Sequence, residues 1–233
     1  MMRLCFIFLW CGAFLLMGFS LKESAAGQFS AESVLIFKKR LNKKYDTGYH
    51  LDVAYPEVRC RNINQGYEIN KHIHQLTSGA ITEFTKKVQK LFKPSEGYHY
   101  MNLDYVVHFT DSYTISVQFN KSAQFIGYKE SLDLSTTFNY DLAQDKVVRF
   151  DDLFDEDAHY QKKIAHLMWK YYKVKIETSD IGKATKFCMN SHFLTLFYKH
   201  PTANRLESYR LKWSEIASVL NKSNPVLSEY AKN

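Results

Sequence analysis

Between Glu68 and Phe92 the apolar side chains Ile69, Ile73, Leu76, Ala80, Phe84, Val88 and Leu91 recur every three or four residues. That spacing is the period of an amphipathic helix and predicts one over 68–92. Lys86, Lys87, Lys90 and Lys93 crowd its C-terminal half, where cations complement the helix dipole, and Pro94-Ser95-Glu96-Gly97 ends it. Elsewhere the period is closer to two. Tyr49–Cys60 reads as a strand with Pro56 at an edge or bulge, and Asn62–Gly66 as the turn that follows. Tyr98–Phe109, Tyr113–Asn120 and Ala123–Leu134 alternate as three more strands, parted by Asp111-Ser112 and Asn120-Lys121-Ser122.

The pattern is densest at the centre. Thr137–Leu142 is rich in β-formers, Ala143–Lys146 supplies a polar turn, and Val147–Phe150 returns. Asp155-Glu156-Asp157 suits the first turn of a helix, and Ile164, Leu167, Met168 and Tyr171 then follow a helical period from Tyr160. Lys173–Glu177 is a candidate strand, Phe187–Tyr198 reads as one strand and Tyr209–Trp213 as a last one. Ser214 is placed to cap a short helix over Glu215–Leu220, and Pro225 opens a polar tail. The upstream stretch Gln28–Lys44, with its basic run Lys38-Lys39-Arg40 and Lys43-Lys44, fits a linker, a first strand or a short helix. The class is α+β: antiparallel sheets packed with two main helices and a short C-terminal helix.

Composition places this pattern in a folding chain. Of 233 residues 45% are hydrophobic and 15% aromatic, with only 9 Gly and 4 Pro, which excludes a disordered polymer. At the start, Arg3 precedes an apolar run from Leu4 to Phe19, and Ser24-Ala25-Ala26-Gly27 offers small residues for cleavage. That order predicts a secretory signal peptide over 1–27 and a periplasmic or secreted protein, with a retained membrane anchor as the alternative. Removing 1–27 takes out Arg3, Lys22 and Glu23 and leaves a net charge of +6, a mild bias toward anionic surfaces. It also removes Cys5 and Cys11. Cys60 and Cys188 remain, either as one disulfide closing a loop of roughly 130 residues or as two thiols that never meet.

Candidate chemistry is sparse. There is no G-x-S-x-G, H-E-x-x-H or paired C-x-x-C, so no catalytic residue, metal site or cofactor is expected. His72 and His74 are two apart on one helix and diverge; His159 and His166 read as surface residues. Asp151, Asp152 and Asp155 form an acidic cluster that fits helix capping first and a ligand second, without the Gly-containing loop that holds calcium. Trp169, Tyr171 and Tyr172, interleaved with lysines, are candidates for stacking on sugar rings, although one wet and one buried face explains them equally. Tyr209-Arg210-Leu211-Lys212-Trp213 repeats the arrangement.

Several pieces together resemble the extracellular domain of RsiV-type anti-sigma factors, which also occurs as the non-catalytic module of PdaC-type peptidoglycan deacetylases. They are Tyr55-Pro56-Glu57-Val58, Glu68-Ile69-Asn70-Lys71-His72-Ile73, Tyr113-Thr114-Ile115-Ser116-Val117, Thr137-Phe138-Asn139-Tyr140-Asp141-Leu142 with Asp152-Leu153-Phe154, and Tyr209-Arg210-Leu211-Lys212-Trp213-Ser214-Glu215-Ile216. The resemblance spans roughly 50–221. It implies two tightly associated subregions, a strand–helix–sheet part over 49–135 and a C-terminal part over 136–221, flanked by an N-terminal segment 28–48 and the polar tail 222–233. It also implies an envelope binding module for a cell-wall glycan or a wall-acting protein such as lysozyme, with no nucleic-acid partner. A membrane partner is expected only if residues 1–27 are retained. A sigma-binding region and a deacetylase domain are not seen in these residues, so signalling and deacetylation are not carried over. The alternatives are a wall-directed hydrolase or deacetylase with an unrecognised site, and a membrane-anchored structural protein of the envelope.

Overall fold

In the computed structural model, which describes residues 34–91, 97–127, 131–182, 185–199 and 206–232, the long amphipathic period becomes α1 (Ile63–Leu91). The signal-like segment 1–27, with Cys5 and Cys11, lies outside the described residues. The helix starts earlier than its apolar period predicts. Asn62 Oδ1 accepts the N–H groups of Asn64 (3.1 Å) and Gln65 (3.4 Å), and the Asn62 carbonyl accepts that of Gly66 (3.0 Å). The segment 62–66, read as a turn, is therefore a capped first turn. Its polarity hid it, since Ile63 is 83% exposed and adds nothing to the apolar stripe.

The helix lies on a six-stranded sheet in the order β1 to β6. β1 (Leu35–Tyr45) and β2 (Tyr49–Arg59) form a hairpin whose turn closes at Gly48, where φ is +86°. β3 (His99–Thr110) pairs in parallel with β2, Tyr49–Val53 against His99–Leu103. This pair departs from the antiparallel expectation, and α1 supplies the crossover that a parallel pair requires. β4 (Thr114–Gln124) and β5 (Ser131–Asp141) complete the large antiparallel part, and β6 (Lys146–Val147) closes the edge. The turn predicted at Asn120-Lys121-Ser122 is strand, with Lys121 paired to both Leu103 and Leu134. β5 also runs unbroken through 135/136, where the sequence reading divides the chain.

The second half follows a single 3-10 turn at Asp151–Leu153. It holds α2 (Tyr160–Tyr172), a three-stranded antiparallel sheet of β7 (Lys186–Met189), β8 (Phe193–Lys199) and β9 (Leu206–Lys212), then α3 (Trp213–Ile216) and α4 (Pro225–Tyr230). The acids do not cap α2: its first turn contains none, and it begins at His159 in the left-handed region (φ +47°). Lys173–Glu177 forms no strand, because Lys173 (φ +58°) ends α2 by donating to the Trp169 carbonyl. The run Phe187–Tyr198 is two strands, since Asn190 Oδ1 accepts from His192 and Phe193 (2.8 Å each) and turns the chain. Glu215, accepting the Lys212 N–H (3.3 Å), starts α3 instead of Ser214. The polar tail is α4: Asn224 Oδ1 accepts from Val226 (2.9 Å) and Leu227 (3.2 Å), Pro225 takes the first position, and Val226, Leu227 and Tyr230 are buried.

Two cores result. One lies between α1 and the large sheet and includes Leu51, Ile69, Ile73, Met101 and Val117. The other, with Phe150, Leu153, Ile164, Leu194 and Trp213, lies under α2 and the small sheet. They part between Val147, which packs on the first, and Val148, in the second. The joint is polar. Asn139 Nδ2 donates to the Phe187 carbonyl (2.8 Å), and Asn139 Oδ1 accepts from Ser116 Oγ (2.6 Å). Ser116 Oγ in turn accepts the Met189 N–H (3.0 Å), and Thr137 Oγ1 accepts that of Phe187 (3.3 Å).

The disulfide alternative is not realised. Cys60, half-buried at the end of β2, and Cys188, fully buried on β7, are both free thiols on separate elements. Burial pushes the Cys188 thiol up to about 12, against a smaller opposing effect of Ser116, so the thiolate needed for exchange does not form at neutral pH.

Candidate functional site

The residues singled out from sequence are split by α2. Asp151 and Asp152 lie before its start: Asp151 Oδ1 accepts from the Tyr160 hydroxyl (2.7 Å) and Asp152 Oδ2 from the Arg149 N–H (2.9 Å). Asp155 is exposed and its carboxylate faces its own turn, accepting from Asp157 N–H (3.4 Å). Trp169, Tyr171 and Tyr172 sit toward the other end of the helix, about 14–18 Å along its axis from Tyr160 at the rise of an α-helix. The acids and the aromatics therefore form no common site. Of the rings, Tyr172 is a clasp, accepting the Arg210 N–H (3.0 Å) and donating to the Arg210 carbonyl (2.6 Å) on the outer edge of β9. Tyr171 donates to Glu215 and takes the Lys170 ammonium on its hydroxyl. Trp169, 53% exposed with Lys173 near its face, is the ring of the three without such a bond.

A different surface gathers more. β2 and β3 pair only as far as Val53 and Leu103, so beyond Val53 the outer strands β1 and β2 stand apart from the rest of the sheet. α1 passes beside them and leaves a groove of about 720 Å³, within the size range of ligand sites. Tyr67, Lys71, His74, Gln75 and Ser78, spaced 4, 3, 1 and 3 residues apart, form its helical wall; Leu41, Val53 and Tyr55 contribute the strand side. Tyr55 and His74 meet edge to face at 5.2 Å between ring centres. Tyr67 is 67% exposed at the rim. Asn70 anchors the helix to β2, its side chain accepting from Val58 N–H and donating to Val58 C=O, both at 2.8 Å.

The groove's charges are neutralised from within. Arg40 holds Asp52 through two bonds, Nε to Oδ1 at 2.9 Å and Nη2 to Oδ2 at 2.7 Å. That hydrogen bonding keeps the Asp52 carboxyl below its usual range despite partial burial and raises Arg40. Lys71 pairs with Glu68 at 3.0 Å, which raises the lysine. The surface left to a ligand is rings, an amide and hydroxyls more than net charge. Among the described residues no three His, Cys, Asp or Glu side chains form a metal-holding group, and no helix among them is long and apolar enough to cross a membrane.

With this geometry in place, solved structures decide the fold. A DUF3298 family member from Bacteroides fragilis NCTC 9343 superposes with a TM-score of 0.59 at 14% identity, covering 87% of this chain and 99% of that one. A second, from Pseudomonas aeruginosa PAO1, gives 0.55 at 12% identity over 83% and 96%. The chain shares the fold of these two proteins. In sequence, 83 residues are 33% identical to the peptidoglycan-N-acetylmuramic acid deacetylase PdaC of Bacillus subtilis (strain 168), which is 35% of this chain and 17% of that enzyme. No family model matches the chain. The motifs that carried the resemblance hold this fold together: Asn70, Ser116, Asn139 and Trp213, whose Nε1 donates to the Asn190 carbonyl at 2.6 Å, all join elements.

Sequence reasoning missed the groove because its residues were read one at a time. The signal was present as the stripe 67, 71, 74, 75, 78 on one side of the helix. It identifies a second face of α1 beside the apolar one.

Proposed function

We propose that this chain is an exported binding module of the bacterial envelope whose α1 groove holds a stretch of cell-wall glycan. The observation that carries this reading is the groove itself: Tyr55, Tyr67 and His74 offer ring faces beside Gln75, Ser78 and Lys71, with the cations already paired. Sugar rings present apolar C–H faces that pack on aromatic rings, and hydroxyl and acetamido groups that bond to amides and hydroxyls. The short likeness to a peptidoglycan deacetylase and the secretory pattern of residues 1–27 support the same compartment and ligand class. A glycan is favoured over a basic wall-acting protein such as lysozyme, which a net positive chain would meet with repulsion.

Co-sedimentation of the chain lacking its first 27 residues with purified peptidoglycan tests this. Because the groove's charges are paired, retention is expected to persist from low to high salt and to fall at least fivefold in Tyr67→Ala, a rim residue whose loss leaves the core intact. Retention that vanishes with salt, or that Tyr67→Ala leaves unchanged, refutes the groove as a glycan site. Release of soluble sugars or acetate during incubation replaces binding with catalysis.

A further inference from the structure

A second cavity, of about 290 Å³, opens on the opposite side of α1 over β4 and β5, at the joint with β7. Its floor is apolar: Leu76 and Ala80 from the helix, Leu103 and Phe119 from the sheet. Lys121 stands on that floor, in phase with the buried Ile115, Val117, Phe119 and Ala123 of β4, and only 8% of its side chain is exposed. A lysine on the apolar face of a strand is costly to bury unless its ammonium is paired. Here the partner comes from the solvent side: Glu83 of α1, 61% exposed, reaches over to bond it at 2.5 Å. Lys186 of β7 adds a second cation to the lining, with no ion pair among the described residues. Among the described residues two ammonium groups and one carboxylate line the cavity, an excess of one positive charge.

We infer that this cavity binds a small monocarboxylate with an apolar tail, the carboxylate held between Lys121 and Lys186 and the tail lying on Leu76, Ala80, Leu103 and Phe119. Glu83 then acts as a stand-in for the ligand. Its exposed side chain loses little by swinging into water, whereas Lys121 keeps an anionic partner throughout. The volume sets the size, since it equals about ten water-sized volumes, or a ligand of about ten non-hydrogen atoms. Nothing in this proposal depends on the glycan groove, which lies on the other flank of the helix.

Calorimetric or NMR titration with octanoate tests the inference. The wild-type chain is expected to bind it saturably, at least fivefold more tightly than octanol. The two members of the ion pair should respond in opposite directions. Lys121→Met, which keeps the stem and removes the charge, should weaken octanoate at least tenfold. Glu83→Gln, whose amide oxygen still accepts from the Lys121 ammonium, should strengthen it severalfold by removing the competing carboxylate. Absence of saturable binding by the wild-type chain, or equal affinity for octanol, would overturn the proposal. So would a Glu83→Gln affinity that is unchanged or lower.

Discussion

Asn70, Asn139 and Tyr172 solve one problem at three places. A strand edge exposes N–H and C=O groups that must find partners once buried or leave a vacant ladder position. Asn70 fills the position beside Val58 after β3 has diverged, Asn139 that at Phe187, and Tyr172 that at Arg210. Of the three, Asn139 is the most buried, at 1% exposed. Asn139→Ala leaves the Phe187 carbonyl without this donor and the Ser116 hydroxyl without its acceptor and is expected to cost about 2 kcal/mol or more in urea unfolding; a loss below about 0.5 kcal/mol, the size of a surface effect, would show the joint to be incidental. Cys188 gives a pH prediction. Its folded-state value, about 12, lies above the ordinary one because burial disfavours the thiolate. Stability from this thiol is therefore fully present below about pH 9 and is lost as pH rises toward 12, because the unfolded chain gives up its proton first. Burial and carboxylate neighbours raise Tyr140 and Tyr160 in the same direction, and burial raises Tyr230. Urea midpoints measured from pH 8 to 11 should fall more steeply for the wild-type chain than for Cys188→Ala.

At the scale of elements, the helices differ in how far sequence foretold them. α1 was legible because its apolar stripe is long and in phase; only its first turn escaped, being polar and defined by the Asn62 cap. The acids before α2 looked like a cap, yet their partners are Tyr160 and Arg149, a choice set by the tertiary fold. The sequence divides β4 and β5 into three strands because Lys121 on the core face resembles a turn signal, and that same residue is a cation on the apolar floor of a cavity. In the sequence α4 reads as a tail, because six residues between polar neighbours give no period. Its cap holds it: Asn224 bonds two helix N–H groups and donates to the buried Asp141 carboxylate at 3.2 Å. Asn224→Ala should cost about 1 kcal/mol and lower the melting temperature by about 2–4 °C. An unchanged thermal midpoint would show that α4 is held by Val226, Leu227 and Tyr230 alone.

For the whole molecule, two cores share a hydrogen-bonded joint in which β7 of one half meets β4 and β5 of the other. The Phe187 and Met189 amides, bonded to Thr137 and Ser116 across that joint, should exchange with deuterium only on global unfolding. Faster exchange there than within β4 would mean the halves open separately. The motifs legible in the sequence sit largely at such joints, which explains why they reported the fold and were silent on the ligand. The groove, by contrast, arises where β2 leaves β3 and α1 turns its polar stripe toward the gap; the local pattern encodes that stripe but not the distant strands it faces. The most direct measurement is an amide and side-chain NMR titration of the chain with soluble peptidoglycan fragments. Saturable shifts confined to Tyr55, Tyr67, Lys71, His74 and Gln75, unaltered by salt, are expected; shifts centred on Trp169 and Tyr172, or none at saturating glycan, refute the groove as the glycan site.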